Sequence, residues 1–340
     1  MARHTKKCGG RPLVWHKFAR IGLPVQAFPA NYTFRRQNAR IVHAAKNGGR
    51  FEIDAHLSLV KSENLTLPPM HRIWVGFNHS RQLSGKRELY SLREFNGTTI
   101  TTWQTGIVNK AYLRYSVNPR GLNWFSNLTL GLDTVQEDWG SDFTYNAVSA
   151  ELKFWFPKTP EGLFLRFYAK KIFDSADTPV QDLIFLDGAN PRERFKHFYL
   201  RSQGSLPDGL NYHLPGGGNL RGFFNQPIIG DEILAINAEV RKQLKPKLSW
   251  QVLNSLLRRI SVAGFADIAA FSLINSSEDI FADAGFGIRL QTLLPDDWYT
   301  IFTGDRNLTI RLDFPIWVSK SLPDENNLRF RWIFGFEQAF

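Results

Sequence analysis

Apolar and polar residues alternate with a period of two along most of this chain, and the pattern is clearest at its end. In Leu328 to Phe340, residues Phe330, Trp332, Phe334, Phe336 and the terminal Phe340 share one parity, while Arg329, Arg331, Gly335, Glu337 and Ala339 hold the other. Side chains of a strand point alternately to its two faces, so this stretch is predicted to be a strand with an aromatic face and a charged or small one. That division suits a wall with lipid on one side and water on the other. A terminal aromatic closing an alternating strand is also what outer-membrane barrels look like, in which the final strand must pair with the first to abolish the edge. An ordinary sandwich strand that happens to be last is the competing reading.

The alternation repeats from Arg50 onward. Phe51, Ile53, Ala55, Leu57 and Leu59 oppose Glu52, Asp54, His56 and Ser58, and Ile73, Val75 and Phe77 oppose Trp74, Gly76 and Asn78. Ala111, Leu113, Tyr115 and Val117 stand against Lys110, Tyr112, Arg114 and Ser116, and Leu128, Leu130 and Leu132 against Asn127, Thr129, Gly131 and Asp133. Asn118-Pro119-Arg120-Gly121 between these two segments is a turn signal. Val148 to Phe156 and Leu163 to Ala169 continue the pattern across a second short turn, Lys158 to Gly162. Short turns alternate with longer polar loops such as Gln136 to Asp142 and Asp174 to Arg192, the asymmetry of outer-membrane barrels. About twelve strands are expected between Arg50 and Phe340, and no helix longer than a turn or two.

Composition narrows the class. The chain has 340 residues, of which 43% are hydrophobic and 14% aromatic, ten of them Trp. Its mean hydropathy is −0.27, and charges interrupt every apolar run before the ~18 residues a spanning helix needs. A helical membrane protein is excluded, but a barrel is not, since alternation averages its hydropathy away; the aromatics suit interfacial girdles. The net charge of +11 is spread over loops and alternate strand positions, not gathered in a tract, which argues against nucleic acid as a partner. A basic lumen or contact with anionic lipid head groups accounts for it equally well. The single Cys8 excludes an internal disulfide and a cysteine metal cluster.

Residues 1–48 carry Pro24, Pro29 and a basic run from Arg35 to Arg50 with poor alternation, and are expected to be a linker or an incomplete first segment, with the barrel over 49–340. Met1 to Arg20 starts basic, but no apolar stretch of ~7 to 15 residues and no small-residue cleavage site follow. The expectation is a start further upstream, or a place at the carboxy end of a longer product.

The second half carries the candidate site. Arg194 to Gly204 is predicted to be a strand, followed by a loop whose core includes Gly216, Gly217, Gly218, Asn219, Leu220, Arg221, Gly222 and Phe223. Three consecutive glycines permit positive φ and close backbone approach, so the loop can fold tightly and present Arg221 and Phe223. It is no phosphate cradle, because no Lys-Ser/Thr follows and no helix begins there. Beyond it, Glu232 to Leu244 puts Asn237, Glu239 and Arg241 on the non-lipid face, and Ile260 to Phe271 puts Phe265 and Asp267 inward, opposite Val262, Gly264, Ala266 and Ile268. An inward carboxylate needs a partner or water. Arg221 from an infolded loop would supply a two-point, charge-assisted contact, and a solvated Asp267 beneath a flexible external loop is the alternative.

The Gly-Gly-Gly-Asn-Leu-Arg-Gly-Phe loop, Phe265-Ala266-Asp267, Gly285-Phe286-Gly287-Ile288-Arg289, Ile310-Arg311-Leu312-Asp313 and the terminal Phe340 follow one another as in the bacterial surface antigen barrels. The chain from Arg194 onward resembles this superfamily, which holds the outer-membrane assembly factors of the BamA and TamA type, two-partner secretion transporters and the chloroplast import channel. The resemblance implies an all-β, transmembrane antiparallel β-barrel of the outer-membrane type in a Gram-negative cell. It implies an infolded loop whose Arg221 meets Phe265 and Asp267, with Glu239, Gly285, Gly287, Arg289, Arg311 and Asp313 as further motif positions and Trp332, Phe334, Phe336 and Phe340 as the terminal strand signal. Two departures stand out: Ala269 replaces a glycine, and Pro315 interrupts a strand, which is tolerated at edges and bulges. The family barrel has about sixteen strands against about twelve here.

The resemblance leaves more than one role. A protein-insertion or translocation barrel would have outer-membrane lipid, lipopolysaccharide included, and a client barrel or secreted protein as partners. An anchor would tether an upstream patatin-like lipase or peptidase, and a simple pore would need no Arg221 loop. Catalysis by this chain is not expected, since His-Glu-x-x-His, Gly-x-Ser-x-Gly and paired zinc-type histidines are missing from its sequence, and no cofactor is implied.

Overall fold

The computed structural model describes residues 32–37, 50–61, 71–82, 92–93, 99–100, 104–119, 121, 123–156, 161–179, 182–186, 212–213, 217–223, 228–245, 257–273, 278–293, 307–321 and 326–336. It is all-β, as the period-two alternation dictates. Twelve strands form one up-and-down sheet: β1 (Tyr32–Gln37), β2 (Arg50–Lys61), β3 (His71–Gln82), β4 (Gly106–Val117), β5 (Phe125–Val135), β6 (Tyr145–Phe156), β7 (Gly162–Phe173), β8 (Ile229–Gln243), β9 (Ile260–Leu273), β10 (Glu278–Leu293), β11 (Asn307–Val318) and β12 (Ile333–Phe336). Every one of these strands pairs antiparallel with its neighbour in sequence. This is the barrel type of sheet; beyond β12, Tyr212–His213 from the β7–β8 connection adds in parallel, Tyr212 beside Phe334 and His213 beside Gly335, and no described pairing joins β1 to β12.

Burial follows parity along β8 and β9. On β8, Leu234, Ile236 and Val240 are exposed while Ile233, Ala235, Asn237, Glu239 and Arg241 are buried. On β9, Val262 and Ile268 are exposed while Phe265, Asp267 and Ala269 are buried. The outer face is thus apolar and open, and the inner face carries the charges, an inversion of the usual soluble domain. Aromatic rings run across the outer face of β10 to β12: Phe286 lies 5.1 Å from Phe314, and Phe314 lies 5.7 Å from Phe330, centroid to centroid.

Within the described residues, the strand expected from Leu328 to Phe340 is laddered over part of its length. Its ladder with β11 covers Ile333 to Phe336, and upstream only an isolated bridge joins Leu328 to Trp317. The cause lies on β11. The β10–β11 register slips by one residue at Pro315, so that Gly285 faces Pro315 while Ala284 faces Trp317 and Ile316 is extra. Proline has no N–H for the ladder, and a bulge absorbs that loss. Residues 326–330 are all exposed, and inward and outward positions alternate from Arg331 on, with Trp332 exposed and Arg331 and Ile333 buried.

The expected alternation of short and long connections holds from β4 to β8 and then reverses. The link 274–277 between β9 and β10 is short, whereas 244–259 and 294–306 are long. The stretch 1–48 contains β1, paired with the far end of β2. The strand predicted over Arg194 to Gly204 lies outside the described residues.

Candidate functional site

The long connection between β7 and β8 returns over the inner wall and forms a lid there. Ile184–Phe185 pairs with the start of β8 at Gly230 and Ile229. The glycine segment then clips onto that short strand, Gly218 N–H donating to the Phe185 carbonyl at 3.0 Å and Leu220 N–H to that of Leu186 at 3.1 Å. Positive φ at Gly217 (52°) and Asn219 (57°) turns the chain sharply inward, and a short 3₁₀ turn over Arg221–Phe223 follows. Gly222 sits so close to β10 and β11 that a Cβ there would lie 2.6 Å from Asp283 Cβ and 2.6 Å from Val318 Cγ1.

Two layers fasten this lid. The first is apolar: Leu220 and Phe223 are fully buried with Leu183, Ile184, Leu186, Ile229, Phe271, Phe281 and Val318, and Phe223 meets Phe281 edge-on at 5.5 Å. The second is ionic and centred on Arg221. Its Nε and Nη2 donate to the two oxygens of Asp267 at 2.8 and 3.0 Å, its Nη1 donates to Glu239 Oε2 at 2.6 Å, and Asp313 lies 3.9 Å away. Its guanidinium carbon stands 3.6 Å above the Phe265 ring centroid. Gly222 N–H donates to Asp283 at 2.9 Å.

The network continues along the wall. Glu239 also accepts from Arg289, at 3.0 and 2.7 Å, and from Arg241. Arg289 and Arg311 each reach Asp313 at 2.6 Å. Four arginines, Arg221, Arg241, Arg289 and Arg311, are thereby set among four carboxylates, Glu239, Asp267, Asp283 and Asp313, all of them buried. A charge taken out of water is tolerated only when paired; Glu239, Asp267 and Asp313 meet these arginines, whereas Asp283 is met by the Gly222 N–H. Two glycines make room for the guanidinium groups: a Cβ on Gly287 would meet Arg289 Nη1 at 2.6 Å, and one on Gly335 would meet Arg311 Nε at 2.6 Å. Gly285 likewise faces the Phe265 ring, which a Cβ would meet at 2.7 Å.

Among the candidate residues, the structure brings together Gly217, Gly218, Asn219, Arg221, Gly222, Phe223, Glu239, Phe265, Asp267, Gly285, Gly287, Arg289, Arg311 and Asp313. Trp332 and Phe334 lie apart from them on the outward parity of the last strand, and Phe336 ends that strand. Gly216 and Phe340 are outside the described residues. Arg166 on β7 was not among the sequence candidates. It donates to the Gly217 carbonyl at 2.7 Å, to Asn237 Oδ1 at 2.9 Å and to Glu151 at 2.6 Å, stacking on Tyr168 at 4.4 Å. Asn237 completes this second clasp, its amide donating to the Asn219 carbonyl at 3.2 Å and to Asp267 at 3.1 Å. Inward parity was the one available signal for Arg166; its main lid partners are backbone carbonyls.

An antiparallel barrel-type wall with an infolded lid, pinned by arginine, is the class of structure these elements define. No family model matches the chain, and no curated protein does. Among solved structures it is similar to the crystal structure of BamA from Haemophilus ducreyi lacking POTRA domains 1–3, at 13% sequence identity and a TM-score of 0.43. The match covers 90% of this chain and 57% of that one, so the chain spans little more than half the length of that protein.

Proposed function

We propose that the chain forms the wall of a transmembrane barrel in a bacterial outer membrane, of the protein-inserting or translocating type, with β1 joining the barrel expected over 49–340. The observation that carries this reading is the pairing of an open apolar face with a buried ionic one across the same strands. Ile280, Leu234 and Val240 are 61%, 60% and 58% exposed, whereas their strand neighbours Phe281, Ala235 and Glu239 are 0% exposed. Such a surface is stable against lipid hydrocarbon and not against water. In the described pairings β1 stands at one end of the sheet with β2 on one side of it, and that edge supports a seam at which a client strand adds by edge pairing. Membrane lipid is then the standing partner, and an unfolded barrel or secreted chain the transient one.

Refolding the purified chain into lipid vesicles tests the membrane reading. Folded protein should resist carbonate extraction and run faster on a gel before heating than after; protein that stays in the aqueous phase would overturn it. Co-reconstitution with an unfolded client barrel tests the inserting role. Faster client folding than in empty vesicles supports that role, and an unchanged rate assigns the chain to anchoring or pore formation instead.

A further inference from the structure

The inner wall is electrically lopsided. Where the lid docks, on β8 to β11, arginines and carboxylates balance. On β4 to β7, by contrast, inward parity carries Lys110, Arg114, Lys153, Arg166 and Lys170 against Asp133 and Glu151, and Asp182, held by the Tyr145 hydroxyl at 2.6 Å, brings the carboxylates to three. Asp133 is shared by Arg114 at 2.5 Å and Lys110 at 3.8 Å, and Glu151 by Arg166 at 2.6 Å and Lys153 at 3.4 Å. Lys170 stands across the ladder from Ser149 on one side and Ile233 on the other, so neither register partner offers a carboxylate.

Three of these cations are also within reach of the interior, while Arg166 is buried. The side chains of Lys110, Arg114 and Lys153 are 20%, 29% and 25% exposed, against 1% or less for Arg221, Arg289 and Arg311. Stacking holds Arg114 flat against the wall, over Tyr112 at 5.5 Å. The lid meets this wall at Arg166 and Tyr145, and Leu183 and Ile184 share an apolar cluster with Val108, Val135 and Ile172, while the contacts of Arg221 and Gly222 fall on β8 to β11. Excess charge of one sign along a confined aqueous wall raises the local concentration of the opposite ion and sets the selectivity of passage.

We infer that the inner wall of β4 to β7 is a cationic track that admits small anions in preference to cations. The inference rests on the membrane-barrel reading, and its test separates the two. The full chain is reconstituted in a planar lipid bilayer under a potassium chloride gradient, and the reversal potential is read. The expected result is a several-fold preference for chloride, lost or inverted in the double variant Lys110→Glu/Lys170→Glu. Lys171→Gln, at the outward neighbour of Lys170, should leave the preference unchanged. Preference for potassium in the unaltered protein, or a preference for chloride that the double variant keeps, would overturn the inference. A protein that embeds in membranes and shows heat-modifiable mobility but conducts nothing would overturn it while leaving the barrel standing. Failure to embed would overturn both. Measurement on the unaltered chain decides the matter even if the double variant does not fold.

Discussion

Arg221 lies flat over Phe265 with its guanidinium carbon 3.6 Å from the ring centroid, while its edge grips Asp267 and Glu239. The face of the cation is spent on a π-system and its rim on two carboxylates, so no equal-charge substitute reproduces both contacts. Arg221→Ala leaves Asp267 and Glu239 short of a cation in a buried place, a loss of about 3–5 kcal/mol for a broken buried pair. The variant should melt at lower temperature in gel-mobility assays. Arg221→Lys, which keeps the charge and lacks the fork, should fall between the two. Equal melting of all three would show that the lid contributes nothing to the wall.

Gly222 has no room for a side chain, with Asp283 and Val318 each 2.6 Å from the site of a Cβ. Neither neighbour can retreat, since one is on β10 and the other on β11. Gly222→Val should expel the lid while the strands stay paired. Limited proteolysis would then cut between 214 and 223 in the variant and not in the parent, with strand content by circular dichroism unchanged.

Arg166 holds the lid by carbonyls, not by a side-chain pair. Removing it in Arg166→Ala should speed hydrogen exchange at the amides of Gly218 and Leu220 by roughly tenfold, equivalent to about 1.4 kcal/mol of local opening, with exchange in β10 and β11 unaffected. Uniform acceleration across all strands would instead mark Arg166 as a general wall residue.

The outer face makes the sharpest contrast. Ile236 lies midway along β8 on the exposed parity, beside the buried pair Ala235 and Asn237. Ile236→Arg should cost about 2–4 kcal/mol of folding stability in vesicles, the range for arginine at the middle of a bilayer. The same variant should be near neutral if that face meets water, so refolding yields in lipid and in a short-chain detergent series decide between the two.

Much of this architecture is written in parity. Phe265 and Asp267 fall inward because Val262, Ile268 and their neighbours take the other face, and a one-residue error would have turned the whole strand over. The glycine run likewise signals a tight turn, which Gly217 and Asn219 make with positive φ. What the pattern could not carry is information that belongs to two strands at once. Pro315 is visible in the sequence, but its effect, a bulge at Ile316 that leaves β12 with four ladder residues, depends on how β10 and β12 flank it. Arg166 was missed for a related reason. Periodicity says which way it points and nothing of the backbone that comes to meet it from some fifty positions further along the chain, 52 in the case of Gly218.

The order of the sheet has a consequence for how the molecule is made. Each ladder between β1 and β12 joins successive strands of that series, the short parallel pair of Tyr212–His213 with β12 being apart from it, so the wall can grow one hairpin at a time, with little loop entropy to overcome at most steps. The lid cannot follow that schedule. Its arginine and glycine draw their partners from β8, β9, β10 and β11 together, as Glu239, Asp267, Asp283 and Asp313. Until those four strands stand side by side Arg221 and Gly222 lack their full set of partners, and their docking is a late event that reports a finished wall.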